Sequence, residues 1–298
     1  LAVVIAVACC VTASTSSAVV TVWIDTDPAI GAPWRDADDA FALIHAFRSP
    51  NVRIAGISTS YGNAELDTTT RVARDLVKRF CATPISVVEG AHGPSDIASR
   101  KPAADALAAT LQREPHLTYV ALAPLTNLAT FHSLHPELFD RIDRVVFVGG
   151  ESSPEALRFG SGGWLKIHDA NVVKDRLAVE QVLATRVPIT LAPAEVGAQI
   201  TVDRAQMQRI ATSSPAGAFL AGNTRVWLWF WTFALQHRGG ALFDLFGMLA
   251  VTTPDAVRSR AAFARCDEHL IFSAERQPGS RPVTVCTGFT GDVAQLPW

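Results

Sequence analysis

Five aspartates fall within fifteen positions in DTDPAIGAPWRDADD, residues 25–39, directly behind an apolar run at 18–24. Carboxylates crowded together repel one another and resist leaving water, so the cluster needs either full solvation or a counter-charge. Asp27 closes the apolar run, and the pair Asp38-Asp39 opens DDAFALIHAF. Carboxylates at a strand end and at a helix start can converge on one cation, and the helix start itself favours negative charge. Oxygen donors without His or Cys select Ca²⁺ or Mg²⁺. Such a metal lowers the pKa of a water it binds, and a neighbouring carboxylate can then take the proton.

Two other readings of the same stretch compete. A calcium loop of the EF-hand kind needs Gly at its sixth position and usually Glu at its twelfth. With Asp25 first, those positions hold Ile30 and Asp36, and a strand rather than a helix leads in, so this reading fails. A dehalogenase-type phosphatase uses a DxD after its first strand as nucleophile and acid. Ala29 stands where such enzymes usually carry Thr or Val, and the Asp38-Asp39 pair has no place in that pattern. It stays as an alternative. Asp36 by itself reads as a solvated loop charge.

The elements that must position these groups alternate. Residues 19–24, 52–58, 85–88, 117–122, 145–148 and 188–191 read as buried strands. Residues 37–47, 68–80, 103–112, 125–134 and 171–183 carry apolar residues at helical spacing. This alternation implies an α/β fold: an open, doubly wound, mostly parallel sheet flanked by helices, with ligands beyond the carboxyl ends of the strands. The aspartate cluster follows the first strand. Residues 204–251 read as helical, broken near 213–217 and carrying VWLWFWTF, and two further strands are expected at 268–272 and 282–286. No linker long enough to separate independent domains appears, so residues 19–298 read as one catalytic domain.

Composition narrows the class. Of 298 residues 49% are hydrophobic and 18% charged, and the net charge is -2. An ordinary domain carries roughly 25% charged residues, so material for a large core is ample. With no basic block, nucleic acid and anionic membrane are poor partners. Residues 1–18 resemble the apolar region and cleavage zone of a secretory or lipoprotein leader without its basic start, and the run is too short for a transmembrane span. Export and a cytoplasmic location stay equally open. The five cysteines form no CxxC pair, which argues against a thiolate metal site, and Cys266 and Cys286 are candidates to pair if the protein is exported.

Further motifs follow in order: ISTSYGN ending in Asn63, EGAHGP, ALAPLTNLA, VVFVGG, DANVVKDRLAVEQVL and FDLFGMLAV. Together with DTDP and DDAFAL, this series resembles the inosine-uridine-preferring nucleoside hydrolase family from about residue 19 to 254. The family fingerprint DxDPGxDDAxAL is departed from in two ways: Ala29 replaces Gly, and about seven extra residues separate its halves. The resemblance implies Ca²⁺-dependent hydrolysis of a ribonucleoside to free base and ribose, with water attacking directly. It assigns Asp27 as general base and metal ligand. Asp39, the Thr126 main-chain carbonyl and Asp244 become the remaining protein ligands. Asp38, Asn63, Asp169 and Asn171 take the ribose-contacting positions, and Asp25 orients its neighbours. A homodimer or homotetramer is implied as well.

Bland readings stand beside these roles. Asn171 and Asp244 are both good helix caps, and Asn63 is a good loop former. A larger departure concerns the leaving group. Many members place His before the final metal-binding Asp; here Phe243 stands there and cannot donate a proton. Members without that acid stack the base between aromatic rings, for which Trp34, Trp227, Trp229 or Trp231 are candidates, and His92, His168 and His237 are spare acids. The insertion can also bring Trp34 or Arg35 over the pocket. A binding protein that has lost catalysis is the remaining alternative.

Overall fold

Strand β1, Val20–Thr26, lies inside a nine-stranded sheet, third from one edge, and delivers Asp25 and Asp27 at its carboxyl end. The computed structural model describes residues 19–114 and 116–298; the leader expected at residues 1–18 lies outside the described residues. Beside β1 lie β2 (Val52–Thr59) and β3 (Val87–Glu89) on one flank, and β4 (Leu117–Ala121), β5 (Ile142–Val148) and β6 (Ile189–Ala192) on the other. All of these pair in parallel. The chain therefore reverses its direction of travel across the sheet between β1 and β4, and a crevice opens at such a switch. Three more strands finish the sheet: β7 (Val257–Cys266), β8 (Leu270–Ser273) and β9 (Arg281–Phe289). β9 joins β6 in parallel, while β7 runs antiparallel to both β9 and β8. The mostly parallel α/β sheet expected from the alternation is present.

Period-two side-chain alternation splits the core between the two faces. Val22 and Ile24 of β1, Val120 of β4 and Val146 of β5 enter one apolar cluster. Trp23, Tyr119 and Phe147 enter the other. The first face is covered by α1 (Asp38–Arg48) and α10 (Phe243–Thr252), which pack on each other and are buried over nearly their whole lengths. α2 (Leu66–Phe80) buries Leu66, Thr69, Val72, Ala73 and Leu76, the spacing of one helical face. On the other face lie α3 (Pro102–Arg113), α4 (Thr126–Leu134) and α6 (Arg176–Ala184).

Several boundaries differ from the expected ones. The helix expected over 171–183 is two, α5 (Ala170–Lys174) and α6, because Asp175 turns out of helical geometry and caps α6 through Ala178 N–H. The 204–251 region divides into α7 (Arg204–Ser213), α8 (Pro215–Asn223), α9 (Arg225–Trp229) and α10, with a π-helical turn at Phe230–Ala234. Ser214 caps α8 and Pro215 occupies its first position, which stops α7. Strand β7 was not expected. It carries Arg258, Arg260 and Arg265, is exposed over much of its length, and its apolar run at 261–264 is mostly alanine, a poor strand former. Cys266 and Cys286 do not pair. Cys286 lies opposite Ser259, seven residues along β7 from Cys266, about 23 Å at the rise of a strand.

Candidate active site

At the carboxyl ends of β1, β4 and β5 a cavity of about 200 Å³ is lined by Asp27, Asp36, Asp38, Asp39, Asn63 and Asp244, and its wall also includes Leu122, Asp169, Asn171, Lys174 and Phe243. Two chain segments supply the acid. Asp27 directly follows β1, and α1 begins with Asp38 and Asp39 because the insertion returns the chain to the same strand end. Thr26 Oγ1 donates to Asp39 Oδ1 at 2.6 Å, and Asp27 N–H donates to the same oxygen at 3.1 Å. From α10, Asp244 N–H donates to Asp38 Oδ2 at 3.0 Å. Carboxylate oxygens of Asp38, Asp39 and Asp244 lie within 4.8 Å of one another, all three residues buried.

Asp27 is held from below. Asn63 N–H donates to its Oδ2 at 2.7 Å, and the approach is so close that Gly62 leaves no room for a side chain. A Cβ on Gly62 would stand 1.8 Å from that oxygen, and its φ of +150° disfavours other residues independently. Under the floor, Asp25 is fully buried and accepts from Ser58 Oγ and Asn127 Nδ2. Trp23 Nε1–H donates to the same Ser58 hydroxyl.

Burial pushes these carboxyls up. Asp25 and Asp36 each rise to about 6, desolvation outweighing their hydrogen bonds. Asp27, Asp38 and Asp244 are held well above the ordinary carboxylate range, first by burial and then by the neighbouring carboxylates. Asp39 is raised too, again by burial. Among the described residues Lys174 is the only basic side chain lining the cavity. A buried group of hard oxygen donors with so little counter-charge fits a divalent cation of the Ca²⁺ or Mg²⁺ kind.

Asp169 caps α5. Its Oδ1 accepts from Asn171 N–H and Val172 N–H, and its Oδ2 accepts from Gly150 N–H at 2.6 Å. The capping role considered for Asn171 therefore belongs to Asp169. Asn171 instead donates its Nδ2 to the carbonyls of Leu122 and Val148, at 3.0 Å each, leaving its amide oxygen as an acceptor. Asp244 is not a cap either: it is the second residue of α10, behind Leu242. Asn63 does hold a loop, its side-chain amide bonding both Asp36 N–H and Asp36 C=O.

Thr126 and Asp36 stand elsewhere than expected. Thr126 lies in the first turn of α4, outside the cavity lining, and its hydroxyl donates to Asp175. Leu122, four residues earlier, where β4 ends and the chain has not yet entered the helix, does line the cavity, and its carbonyl accepts from Asn171 Nδ2. Asp36 is not a solvated charge. It lines the cavity, accepts from Trp227 Nε1–H at 2.5 Å and is buried enough to titrate near 6. Sequence reasoning also missed Lys174, although it stands three residues after Asn171, one turn along the same helix face.

Next to the acidic cavity, and sharing Asp36 with it, lies an aromatic recess of about 470 Å³. Trp34, Trp227, Phe230 and Trp231 line it, whereas Trp229 faces a separate groove with Arg204 and Arg225. None of the spare histidines lines the cavity. His92 is exposed beside Asp96, and His237 bonds the Gly239 carbonyl.

A family model described as inosine-uridine preferring nucleoside hydrolase matches residues 22–292. Pyrimidine-specific ribonucleoside hydrolase RihA of Salmonella arizonae is 28% identical over 211 residues, which cover 62% of this chain and 66% of that protein. RihA of Citrobacter koseri is likewise 28% identical over 211 residues, covering 62% and 65%. The chain thus spans just under two thirds of the length of these curated relatives. Among solved structures, the plant nucleoside hydrolase PpNRh1 superposes with a TM-score of 0.78 at 22% identity, over 93% of this chain and 96% of that one. The Bacillus anthracis inosine-uridine preferring nucleoside hydrolase gives 0.72 at 18% identity, over 92% and 96%. At these identities the likeness is one of fold.

Proposed function

The chain belongs to the inosine-uridine preferring nucleoside hydrolase family, and from that premise we propose that it hydrolyses the N-glycosidic bond of ribonucleosides, giving free base and ribose, with Ca²⁺ as its cofactor. The observation that carries this reading is the convergence of Asp27, Asp38, Asp39 and Asp244 on one small buried cavity with Asn171 and Lys174 on its wall.

Asp27, Asp39, Asp244 and the Leu122 carbonyl would hold the ion, with Asp38 beside them. Ca²⁺, when bound, supplies the charge that keeps these buried carboxylates ionised and makes nearby water and ribose hydroxyls more acidic. Asp27, fixed by the Asn63 N–H, takes the proton of the attacking water as the new C1′–O bond forms and the C1′–N bond breaks. Asp38, Asn63, Asp169 and Asn171 border the space where the ribose would sit. Positive charge grows on the sugar as the bond to the base lengthens, as in other glycoside cleavages. A wall of fixed acceptors stabilises that charge more than it stabilises the neutral nucleoside, and this difference lowers the barrier. Phe243 offers no proton to the departing base. The aromatic recess behind Asp36 accommodates a flat base by stacking, and solvent supplies the proton that the departing nitrogen takes up.

The deciding assay incubates the protein with a panel of ribonucleosides and phosphomonoesters, with Ca²⁺ or with chelator, and measures free ribose and phosphate. Ca²⁺-dependent ribose release supports the reading. Phosphate release without ribose, or nucleoside binding with no ribose from any nucleoside, overturns it.

A further inference from the structure

Glu151, His168 and His269 bring one carboxylate oxygen and two imidazole nitrogens within 4.8 Å of one another, outside the lining of the acidic cavity. The three come from separate segments. Glu151 follows the end of β5, His168 precedes α5, and His269 sits in the turn between β7 and β8. Glu151 is the rigid member, 1% exposed and woven into the sheet edge. Its N–H donates to Leu270 C=O at 2.9 Å, and its own C=O accepts from Phe272 N–H at 3.1 Å. Its Oε1 accepts the Asp169 N–H at 2.6 Å.

The other oxygen, Oε2, is buried and has no hydrogen-bond partner among the described residues, and the same holds for His168 Nδ1, 3.7 Å away. The His168 and His269 rings stack with centroids 4.2 Å apart. Leaving a carboxylate oxygen buried and unpaired is costly, and placing two protonated imidazoles face to face would add repulsion. A cation shared by all three donors removes both difficulties.

We propose that Glu151, His168 and His269 form a second metal site, for a divalent first-row transition ion of the Zn²⁺ class with its remaining position open to solvent. Two imidazoles and one carboxylate suit such an ion, whereas the all-oxygen aspartate cluster suits a hard one. At Zn–N distances of about 2.0–2.1 Å, donors around a tetrahedral ion stand about 3.4 Å apart. Both histidines are only half-buried and can turn to close that gap, while Glu151 stays fixed. The site has a structural consequence. Glu151 Oε1 holds the backbone of Asp169, and Asp169 caps the helix that carries Asn171 and Lys174. An ion here clamps that helix start to the β7–β8 turn.

The test uses the full chain, stripped with chelator and then held in excess Ca²⁺ to fill the oxygen site. Co²⁺ is added as the spectroscopic probe and Zn²⁺ as competitor, with stoichiometry read by equilibrium dialysis. Visible d–d absorption should appear at one Co²⁺ per chain and vanish on adding Zn²⁺. His168→Ala and His269→Ala should each weaken Zn²⁺ binding by about tenfold or more, with near-UV circular dichroism unchanged, whereas Asp244→Asn should leave it unaltered. Absence of the Co²⁺ spectrum overturns the proposal. So does an undiminished spectrum in the His168→Ala/His269→Ala double variant, or its loss in Asp244→Asn.

Discussion

Trp227 donates its indole N–H to the Asp36 carboxylate across 191 residues of chain. Asn63 grips the same aspartate by its backbone, so the insertion between Asp27 and Asp38 is fastened at one residue to two different walls of the site. Asp36 is also the residue common to the acidic cavity and the aromatic recess. Trp227→Phe keeps the ring and removes the donor. Losing a hydrogen bond to a buried acid costs about 1–3 kcal/mol. The expected result is a raised KM with a smaller change in kcat, measured on whichever nucleoside the wild type prefers.

Asp27→Asn should retain the fold and lose most of the activity. General-base removal costs about 10²–10⁴ in rate. Initial rates of ribose release, with circular dichroism as the control for folding, decide the matter; full activity in the variant would refute the mechanism.

Metal removal should destabilise the protein as well as silence it. An ion that binds only the folded chain adds about 2.7 kcal/mol at a concentration one hundred times its Kd. Chelation should therefore lower Tm and Ca²⁺ should restore it, and Asp244→Asn should blunt the response. Calorimetric scans with and without Ca²⁺ read this directly.

His45 gives a pH dependence that lies apart from the chemistry. It is buried at the far end of α1 from the aspartates, bonded to Thr252, and burial lowers its pKa from 6.5 to about 4. The folded state thus binds fewer protons than the unfolded chain between those values. This contribution is complete above pH 6.5 and is lost as pH falls through 4, in all about 3 kcal/mol. His45→Gln should flatten the fall in stability over that window, as followed by urea melts at several pH values.

Phe243→His would place an imidazole on the cavity wall directly before Asp244. Ribonucleosides with poor leaving groups should gain rate by about tenfold. The pH profile should acquire a falling limb as the new imidazole loses its proton. An unchanged profile would show that position 243 does not reach the departing base.

What could be read before folding was whatever local spacing encodes. The strand end at Asp27 and the helix start at Asp38-Asp39 follow from periodicity alone, and Asp244 from the motif around it. Asp36 was misread because its burial depends on Trp227, which no local pattern connects to it. Thr126 rather than Leu122 was expected at the site because a main-chain oxygen leaves no mark on residue type; the turn out of β4 brings Leu122 to the cavity wall. β7 escaped notice because its apolar residues are mostly alanine rather than β-branched and its arginines are exposed. Asn127, which holds both Asp25 and the Thr59 carbonyl, lay within a quoted motif but had no role until the distances placed it.

The close approach of Gly62 to Asp27 sets a limit on how this sequence can drift. Every possible side chain at position 62 collides with the oxygen that the proposed chemistry uses, so the position tolerates no substitution that keeps the base in place. Gly93 and Gly222, by contrast, face open space. Saturation libraries selected for turnover should thus return a single codon family at 62 and a broad spectrum at 93 and 222. A glycine in a loop, outwardly the least informative of residues, is here as constrained as the carboxylate it makes room for.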